Sequence, residues 1–467
     1  MKKFFLLLAP LIGGVLCISC TVDNIDSVDN NDIIDDPNKG EISNNIVPND
    51  EIWYTSISTT EPINPIDPTD DWNQPWPYDP SIFGANIISN TYDDDNNHWV
   101  IKFDGDVTRV GELAFNNCRS LTTIAIPDSV TAIQYSAFKG CVGLTTISLG
   151  NGVTTIGAGA FYDCVSLTDI VIPDSVTTIK SAAFNGCRGL THVTLGDNLT
   201  FLGDRTFARC SCLTDITLSN NLTVIEEQTF SSCTSLSNVA FGNNLTTIGK
   251  HAFQGCTSLT NIILPDSVTT INSEAFADCS NIEQFGGKLA SEDGRCLIVD
   301  YTLVAYASGC GATEYSLPNG IITVGRGAFY NCTDLTSITM PNSVITIDAY
   351  AFYGCANLTD VTLSDCVATI GDNAFYDCAN LISITLPQSV TTIGFYAFFD
   401  CMSLASVYCK ATTPPVLGEY VFNVQVNSSL AIVPIDCPIY VPTESVDVYK
   451  TALGWGSYID NIVGYNF

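Results

Sequence analysis

A phenylalanine recurs every 23 residues along most of the chain, and a cysteine follows each one three positions later. The spacing is interrupted once and then resumes, so that twelve copies of an Ala-Phe-x-x-Cys-like box share one period. A fixed period of this length is typical of solenoids, in which each repeat forms one coil and buries its apolar residues against the next coil. The twelve phenylalanines are Phe115, Phe138, Phe161, Phe184, Phe207, Phe230, Phe253, Phe276, Phe329, Phe352, Phe375 and Phe398.

The other columns of the repeat predict two short strands in each coil. Leu or Ile stands six residues after every Phe, and apolar residues such as Ile124 and Ile126 follow at nine and eleven. The period-two spacing of that segment predicts a half-buried strand. A Val-Thr-x-Ile segment predicts a second strand, and the Phe box predicts a tight helical or 3₁₀ corner. The predicted fold is therefore a solenoid of 23-residue coils built from short parallel β-strands.

The repeat also resembles a known family. Its unit, L-x-x-I-x-L-P-x-S-V-T-x-I-G-x-x-A-F-x-x-C, is similar to the leucine-rich repeat of the BspA-like surface proteins of Bacteroides-type bacteria. The resemblance covers residues 107–408 at the level of the repeat. Asp293 to Ile298 and Ile439 to Pro442 are similar to an insertion and a C-terminal segment common in that family. The resemblance implies a leucine-rich-repeat solenoid and a surface adhesin or binding role toward host or bacterial macromolecules.

The first twenty residues predict export. Lys2 and Lys3 precede an apolar run, Phe4 to Leu16, that is too short to span a bilayer, as in a signal peptide. The Ile-Ser-Cys sequence that ends at Cys20 resembles the end of a bacterial lipobox. We therefore predict a signal peptide over 1–19, lipidation of Cys20 and a place on the cell surface at the outer membrane. Ordinary secretion without lipid is the alternative.

Composition divides the rest of the chain. Residues 21–80 contain fourteen acidic residues against one Lys, which predicts an acidic disordered tether over 20–80. The strand-like run Glu51 to Thr55 is the exception and is expected to pair with a cap. We predict an N-terminal cap over 81–106, the solenoid over 107–408 and a C-terminal cap over 409–467, because an open stack needs covered ends.

One insertion breaks the period between Phe276 and Phe329, which are 53 residues apart. Within the extra stretch, about 286–315, two apolar segments joined at Asp300 and Tyr301 predict a hairpin that projects from the stack. Two interpretations remain open: a spacer that bends the solenoid, or a finger that contacts a partner.

The sequence predicts no catalysis, no cofactor and no metal. It has three His and lacks the common nucleophile, metalloprotease and phosphate-binding motifs. The repeated cysteines are predicted to be buried free thiols, since parallel side chains in a stacked column are poorly placed for disulfides. Asp169, His192 and Asp215 share one position in three consecutive coils. We predict an ordinary ion pair on a solvated face for this row, and a divalent-cation site is the alternative.

The outward positions of the first strand are small and polar, as at Thr123 and Thr146. We predict that this face, with the Asp169 row, presents hydrogen-bonding groups to a host or bacterial surface protein or glycan. The formal net charge of −32 predicts no nucleic-acid partner and no membrane contact except through the lipid anchor. Two alternatives are a structural surface spacer and a metal-dependent hydrolase that uses the Asp169 row.

Overall fold

The structure is a computed structural model that describes residues 46–58, 60–63, 82–426 and 431–467. The predicted signal peptide, Cys20 and most of the predicted tether lie outside the described residues.

Each repeat forms one coil with two short strands, as the sequence columns predict. We call the strand that follows the Leu the A strand and the shorter one before the Phe the B strand. Most strands pair in parallel with the residue 23 positions away, as Thr123 does with Thr146, so a column in the sequence is also a column in space. In a typical A strand, Ile147 is buried between exposed Thr146 and Ser148. The alternation follows from the two-residue period of a strand.

The strand bounds follow the repeat. The A strands are Leu121–Ala125, Thr146–Ser148, Asp169–Val171, His192–Thr194, Asp215–Thr217, Asn238–Ala240, Asn261–Ile263, Gln284–Gly286, Glu314–Ser316, Ser337–Thr339, Asp360–Thr362, Ser383–Leu386 and Ser406–Cys409. The B strands are Arg109–Val110, Ala132–Ile133, Thr155–Ile156, Thr178–Ile179, Phe201–Leu202, Val224–Ile225, Thr247–Ile248, Thr270–Ile271, Thr323–Val324, Thr346–Ile347, Thr369–Ile370, Thr392–Ile393 and Val416–Leu417.

The Phe box forms a tight corner. Its turns close with hydrogen bonds between residues three apart, as from Cys141 N to the Phe138 carbonyl at 3.1 Å, which is the 3₁₀ pattern. The residues two before and two after the Phe take left-handed backbone angles, as Ser136 (φ 51°) and Gly140 (φ 72°) do. These two reversals turn the chain inward so that the Phe points into the core, where it is fully buried.

The repeated cysteine joins neighbouring coils through a hydrogen bond from its thiol. Cys141 Sγ donates a hydrogen bond at 2.9 Å to the carbonyl oxygen of Phe115 in the preceding coil. The same carbonyl accepts the backbone N–H of Cys118 at 3.1 Å, so both of its acceptor sites are used. No disulfide joins the repeated cysteines of the described chain. Burial raises the pKa of Cys233 from 9.0 to about 12, so the thiol stays protonated and can donate.

The core divides at the insertion into two clusters. We call the coils of Phe115 to Phe276 the first stack and those of Phe329 to Phe422 the second stack. Phe422 adds a thirteenth ring, stacked 5.4 Å from Phe398, although the predicted solenoid ended at residue 408. The period missed it because this last step is 24 residues long, with Val416–Leu417 in register with Thr392–Ile393.

The insertion is built into the second stack. Cys296–Val299 and Thr302–Tyr306 pair as an antiparallel hairpin. The hairpin does not project as expected, because Thr302–Tyr306 also pairs in parallel with the B strand Thr323–Val324. Tyr306 lies 23 residues before Phe329 and stacks on it at 4.6 Å, so it occupies the place of a repeat Phe. Ser308–Cys310 follows as a short 3₁₀ helix.

Both ends of the described solenoid are covered. Glu51–Ser56 lies between the hairpin strand His98–Phe103 and the first A strand, and Ile87–Asp93 completes this antiparallel cap. At the other end, Ile439–Pro442 and Ile462–Tyr465 continue the A sheet in parallel. The remaining C-terminal elements are the strands Asn423–Val426 and Ala431–Pro434, the 3₁₀ helices Thr443–Ser445 and Trp455–Asn461, and the α-helix Val446–Thr451. None of the helices in the described ranges has the length and apolar character needed to cross a bilayer.

Candidate interaction surfaces

The predicted threonine face is partly used by the fold itself. Thr123 Oγ1 lies 2.6 Å from Thr55 Oγ1, so the cap strand covers it, whereas Thr146 in the next coil is exposed. The neighbouring threonine column joins the coils: Thr145 Oγ1 donates to the Thr122 carbonyl at 3.0 Å, and Thr154 Oγ1 donates to the Thr131 carbonyl at the same distance. Many of the repeated threonines therefore stabilise the stack by hydrogen bonds between coils.

The Asp169 row is only half assembled. Asp169 and His192 are in register on adjacent strands, with Oδ1 and Nδ1 3.2 Å apart, and both side chains are largely exposed. Asp215 belongs to the next short sheet, where its Oδ1 accepts a hydrogen bond from Thr214 at 2.9 Å. Within the described ranges, no group of three or more His, Cys, Asp or Glu side chains could hold a metal ion. Asp169 and His192 form an exposed side-chain contact, of a kind that contributes little to stability.

A surface that the sequence analysis missed lies on the corners of the second stack. The residue after each repeat Phe is aromatic there, and Tyr330, Tyr353, Tyr376 and Phe399 form a second ladder outside the buried one. The Tyr353 centroid lies 4.9 Å from those of Tyr330 and Tyr376, with nearly parallel rings. Phe399 continues the ladder 5.3 Å from Tyr376. The three tyrosines are half-buried and Phe399 is buried.

A second aromatic column borders this ladder. Tyr350 packs 5.7 Å from Tyr353, and Tyr396 packs edge-on against Phe399 at 5.1 Å. Tyr420 stacks on Tyr396 at 5.5 Å and is 41% exposed. These three tyrosines take left-handed backbone angles, which suit Gly or Asn better. We call the ladder and this column, together with Phe395, the aromatic corner.

The aromatic corner lies in an acidic environment. Residues 327–409 contain seven Asp and no Lys, Arg or His. Asp377 and Asp400 follow directly after Tyr376 and Phe399 in two consecutive corners. Burial raises the pKa of Asp377, and the like charge of Asp400 raises it further. Negative charge is therefore concentrated beside the rings, and the nearest basic residues in the sequence are Arg326 and Lys410 at the two ends of this stretch.

The chain matches the family model described as BspA type leucine rich repeat region (6 copies) over residues 85–211, 154–283 and 304–428. Together these segments cover more than half of the chain. The chain belongs to the BspA-type leucine-rich-repeat family. The match includes Val416–Leu417 and Phe422, which supports counting the last coil as part of the repeat region.

Solved structures agree with this BspA-type assignment. A leucine rich cell surface protein from Faecalibacterium prausnitzii is 26% identical, with 77% of this chain and 97% of that chain covered and a TM-score of 0.56. A leucine-rich repeat protein from Bacteroides ovatus is 28% identical, with 82% and 92% covered and a TM-score of 0.50. A comparison with curated proteins gave no match.

A second aromatic cluster of this BspA-type chain lies on the A-strand face near the C-terminus. Tyr408 stacks on Tyr440 at 4.9 Å, and Tyr465 packs against both rings. Its residues sit where the A strands of the cap continue the sheet. The threonine face thus ends in tyrosines, and Tyr440 and Tyr465 were not predicted on this face because the cap strands lie outside the period.

The signal for the aromatic corner was present in the sequence. The position after the Phe is aromatic in one first-stack repeat, at Tyr162, but in four consecutive repeats of the second stack. The residue type at this position therefore changes between the two stacks. Such a change indicates an outward-facing position, since the buried positions keep the same residue type in both stacks.

Proposed function

We propose that this protein is a non-catalytic binding module of the cell surface, an adhesin that presents its repeats to a protein or glycan partner. The observation that carries the proposal is the aromatic corner, a set of rings that extends over several coils without serving as the main core. Aromatic residues are enriched at binding hot spots, because they bury a large area at a small cost in entropy. Family membership and the cell-surface relative support the same role.

The repeat architecture supports binding over several coils at once. In the described solenoid, the coils are joined by backbone, thiol and threonine hydrogen bonds, so outward residues are held at fixed spacing. A preorganised surface loses little conformational entropy when a partner binds. This favours a binding module over a spacer, whose outward residues need no common chemistry.

Surface display is part of the proposal. The expected signal peptide, the lipidated Cys20 and the acidic tether would carry the solenoid away from the outer membrane. Mass spectrometry of the mature N-terminus is expected to show a lipid-modified Cys20. An unmodified peptide that begins at Cys20 or Thr21 would contradict the anchor while leaving the binding role open.

Binding is tested with a soluble chain that begins at residue 21, directly after the predicted lipid-bearing Cys20. The chain should include Glu51–Ser56, because this strand pairs with both the cap and the first coil. It is presented to immobilised host matrix proteins, bacterial surface proteins and mucin glycans, with bovine serum albumin as a control. Saturable capture of at least one partner class is expected. Absence of capture from every class would support the spacer instead.

The hydrolase alternative can be tested in parallel. Hydrolysis of ester, peptide and glycoside probes is measured with and without a chelator. No chelator-sensitive turnover is expected, because Asp215 does not join the Asp169–His192 pair.

A further inference from the structure

We propose that the aromatic corner of the second stack binds an arginine-rich segment of the partner protein. This inference rests on the proposed binding function and names its face and its partner chemistry. It is drawn from three features: the charge of the second stack, the exposed rings, and one guanidinium of the chain that already packs on this surface.

Charge selects a cationic partner. The stretch 327–409 contains seven Asp and no positive side chain between Arg326 and Lys410, whereas residues 107–285 of the first stack carry eight Lys or Arg. A one-signed surface attracts segments of opposite charge and disfavours anionic ones. Sialylated or sulfated glycans and nucleic acids are therefore poor partners for this face.

The rings favour arginine over lysine. Arg326 is the last basic residue before the acidic stretch, and its guanidinium lies 4.6 Å from the Tyr350 ring centroid. The Arg326 Nε also donates a hydrogen bond to the Glu274 carboxylate. A planar guanidinium can stack on a ring and bind a carboxylate at once, which an ammonium group does less well. This internal contact shows the combination that we propose for the partner.

Exposed rings are available beyond Tyr350. Phe395, which directly precedes Tyr396 in the chain, is 49% exposed, and Tyr420, which stacks on Tyr396, is 41% exposed. The rings of the Tyr353 ladder cover one another, so a sugar ring could not stack on them without separating the ladder. Guanidinium groups can instead reach the exposed rings at the end of the column and the carboxylates of Asp377 and Asp400.

The like-charged carboxylates support this placement. Asp400 Oδ1 accepts the backbone N–H of Gln425 at 2.8 Å, while the raised pKa of Asp377 reflects burial and the nearby Asp400 charge. A guanidinium placed between the two carboxylates would relieve their repulsion.

The test uses the same soluble chain and three nine-residue peptides: oligoarginine, oligolysine and a neutral Gly-Ser peptide. Dissociation constants are measured by calorimetry at two salt concentrations. Oligoarginine is expected to bind several-fold more tightly than oligolysine, more weakly at high salt, and the neutral peptide is expected not to bind. Hydrogen exchange with bound oligoarginine should show protection within residues 372–400.

Two variant pairs assign the binding to the corner. The double variant D377N/D400N is compared with D360N/D365N, which makes the same charge change at exposed positions outside the corner. Phe395→Ala is compared with Tyr135→Ala, since Tyr135 holds the matching place in a first-stack coil and is 52% exposed. We expect the corner variants to weaken oligoarginine binding about tenfold and the controls less than about twofold.

The outcomes separate this inference from the proposed function. Equal losses in the corner and control variants, or no peptide binding at all, would overturn the arginine-rich partner. If a host protein is captured equally well by D377N/D400N and by the unmodified chain, the binding function stands and this surface is wrong. If the corner binds oligoarginine as expected but no surface protein or glycan is captured, the proposed function fails while the chemistry of the corner holds.

Discussion

The first and second stacks share one backbone plan and differ in the chemistry of their corners. Both bury a Phe ladder, with neighbouring centroids 5.0 Å apart for Phe161 and Phe184 and for Phe352 and Phe375. Outside this ladder, the first stack has charged residues that pair with one another, as Arg205 does with Asp204 and Glu227. The second stack has rings and unpaired negative charge. The inward columns preserve the coil, and the outward columns are free to differ.

The two stacks are also joined at their corners. Glu274 in the last coil of the first stack binds Arg326 in the second and lies 3.4 Å from His251 Nδ1. Asn331 Nδ2 donates to Asp278 Oδ1 at 2.9 Å across the same junction. Because the buried clusters divide at the insertion, these polar contacts supplement the packing of the hairpin.

The largest expected effect tests whether the two cores are separate. Phe184→Ala and Phe375→Ala each remove a fully buried ring and should cost about 3–5 kcal/mol of local stability. Since coils contact mainly their neighbours, amide hydrogen exchange should rise around the substituted coil and within its own stack. The exchange is measured by mass spectrometry for both variants.

The two variants act as controls for each other. If Phe184→Ala increased exchange as strongly over residues 329–422 as over residues 161–207, the stacks would unfold as one unit. Unchanged exchange near residue 184 would contradict the assignment of the ring to the core.

A smaller effect is expected at the junction. Arg326→Met keeps the apolar stem but leaves the Glu274 carboxylate, whose side chain is only 11% exposed, without its guanidinium. Loss of a hydrogen bond to a charged group should cost about 2 kcal/mol, seen as faster exchange in both coils of the junction. The control is Arg205→Met, whose exposed ion pairs should be worth less than about 1 kcal/mol. Equal effects of the two substitutions would show that the Arg326–Glu274 contact contributes no more to stability than an exposed ion pair.

The junction should also respond to pH. Burial lowers the pKa of His251 below 6.5, and the Glu274 charge opposes this shift only in part. The unfolded chain therefore takes up this proton more readily, so the stability from neutral His251 is present above about pH 6.5 and is lost as the pH falls. Exchange near residues 251 and 274, corrected for the intrinsic rate, should rise between pH 7 and pH 5. A His251→Gln variant should lose that dependence, and an unchanged slope in the variant would assign it to other groups.

The smallest expected effect concerns the thiols, which should behave alike in both stacks. Buried cysteines such as Cys187 and Cys378 should react with an alkylating reagent only after denaturation, whereas exposed Cys366 should react in the folded protein. Because burial raises the pKa of Cys233 to about 12, its protection should persist at pH 9. Mapping of alkylated peptides under non-reducing conditions measures this. Disulfides between neighbouring positions such as Cys141 and Cys164 would refute the hydrogen-bonding role of the thiol.

The buried columns were predictable, but their hydrogen bonds were not. The period predicted that Phe138 and Cys141 would be buried, because every coil repeats the same environment. It did not reveal that Cys141 binds the Phe115 carbonyl, since that contact depends on the stagger between coils. Likewise, Thr123 was predicted to be available to a partner, although the hydroxyl of Thr55 in the cap strand lies 2.6 Å from it.

The repeat by itself determined the solenoid, its coil length and its core. A column of identical apolar residues is buried efficiently when successive coils stack on one another. Tertiary structure decided what happens where the period fails. It placed Tyr306 in a Phe position, added the Phe422 coil and gave the Asp215 carboxylate a hydrogen bond to Thr214 while His192 contacts Asp169. It also brought the tyrosines of successive corners into one surface. These outcomes depend on strand register and on the stacking of side chains from different coils, and neither is a property of one repeat.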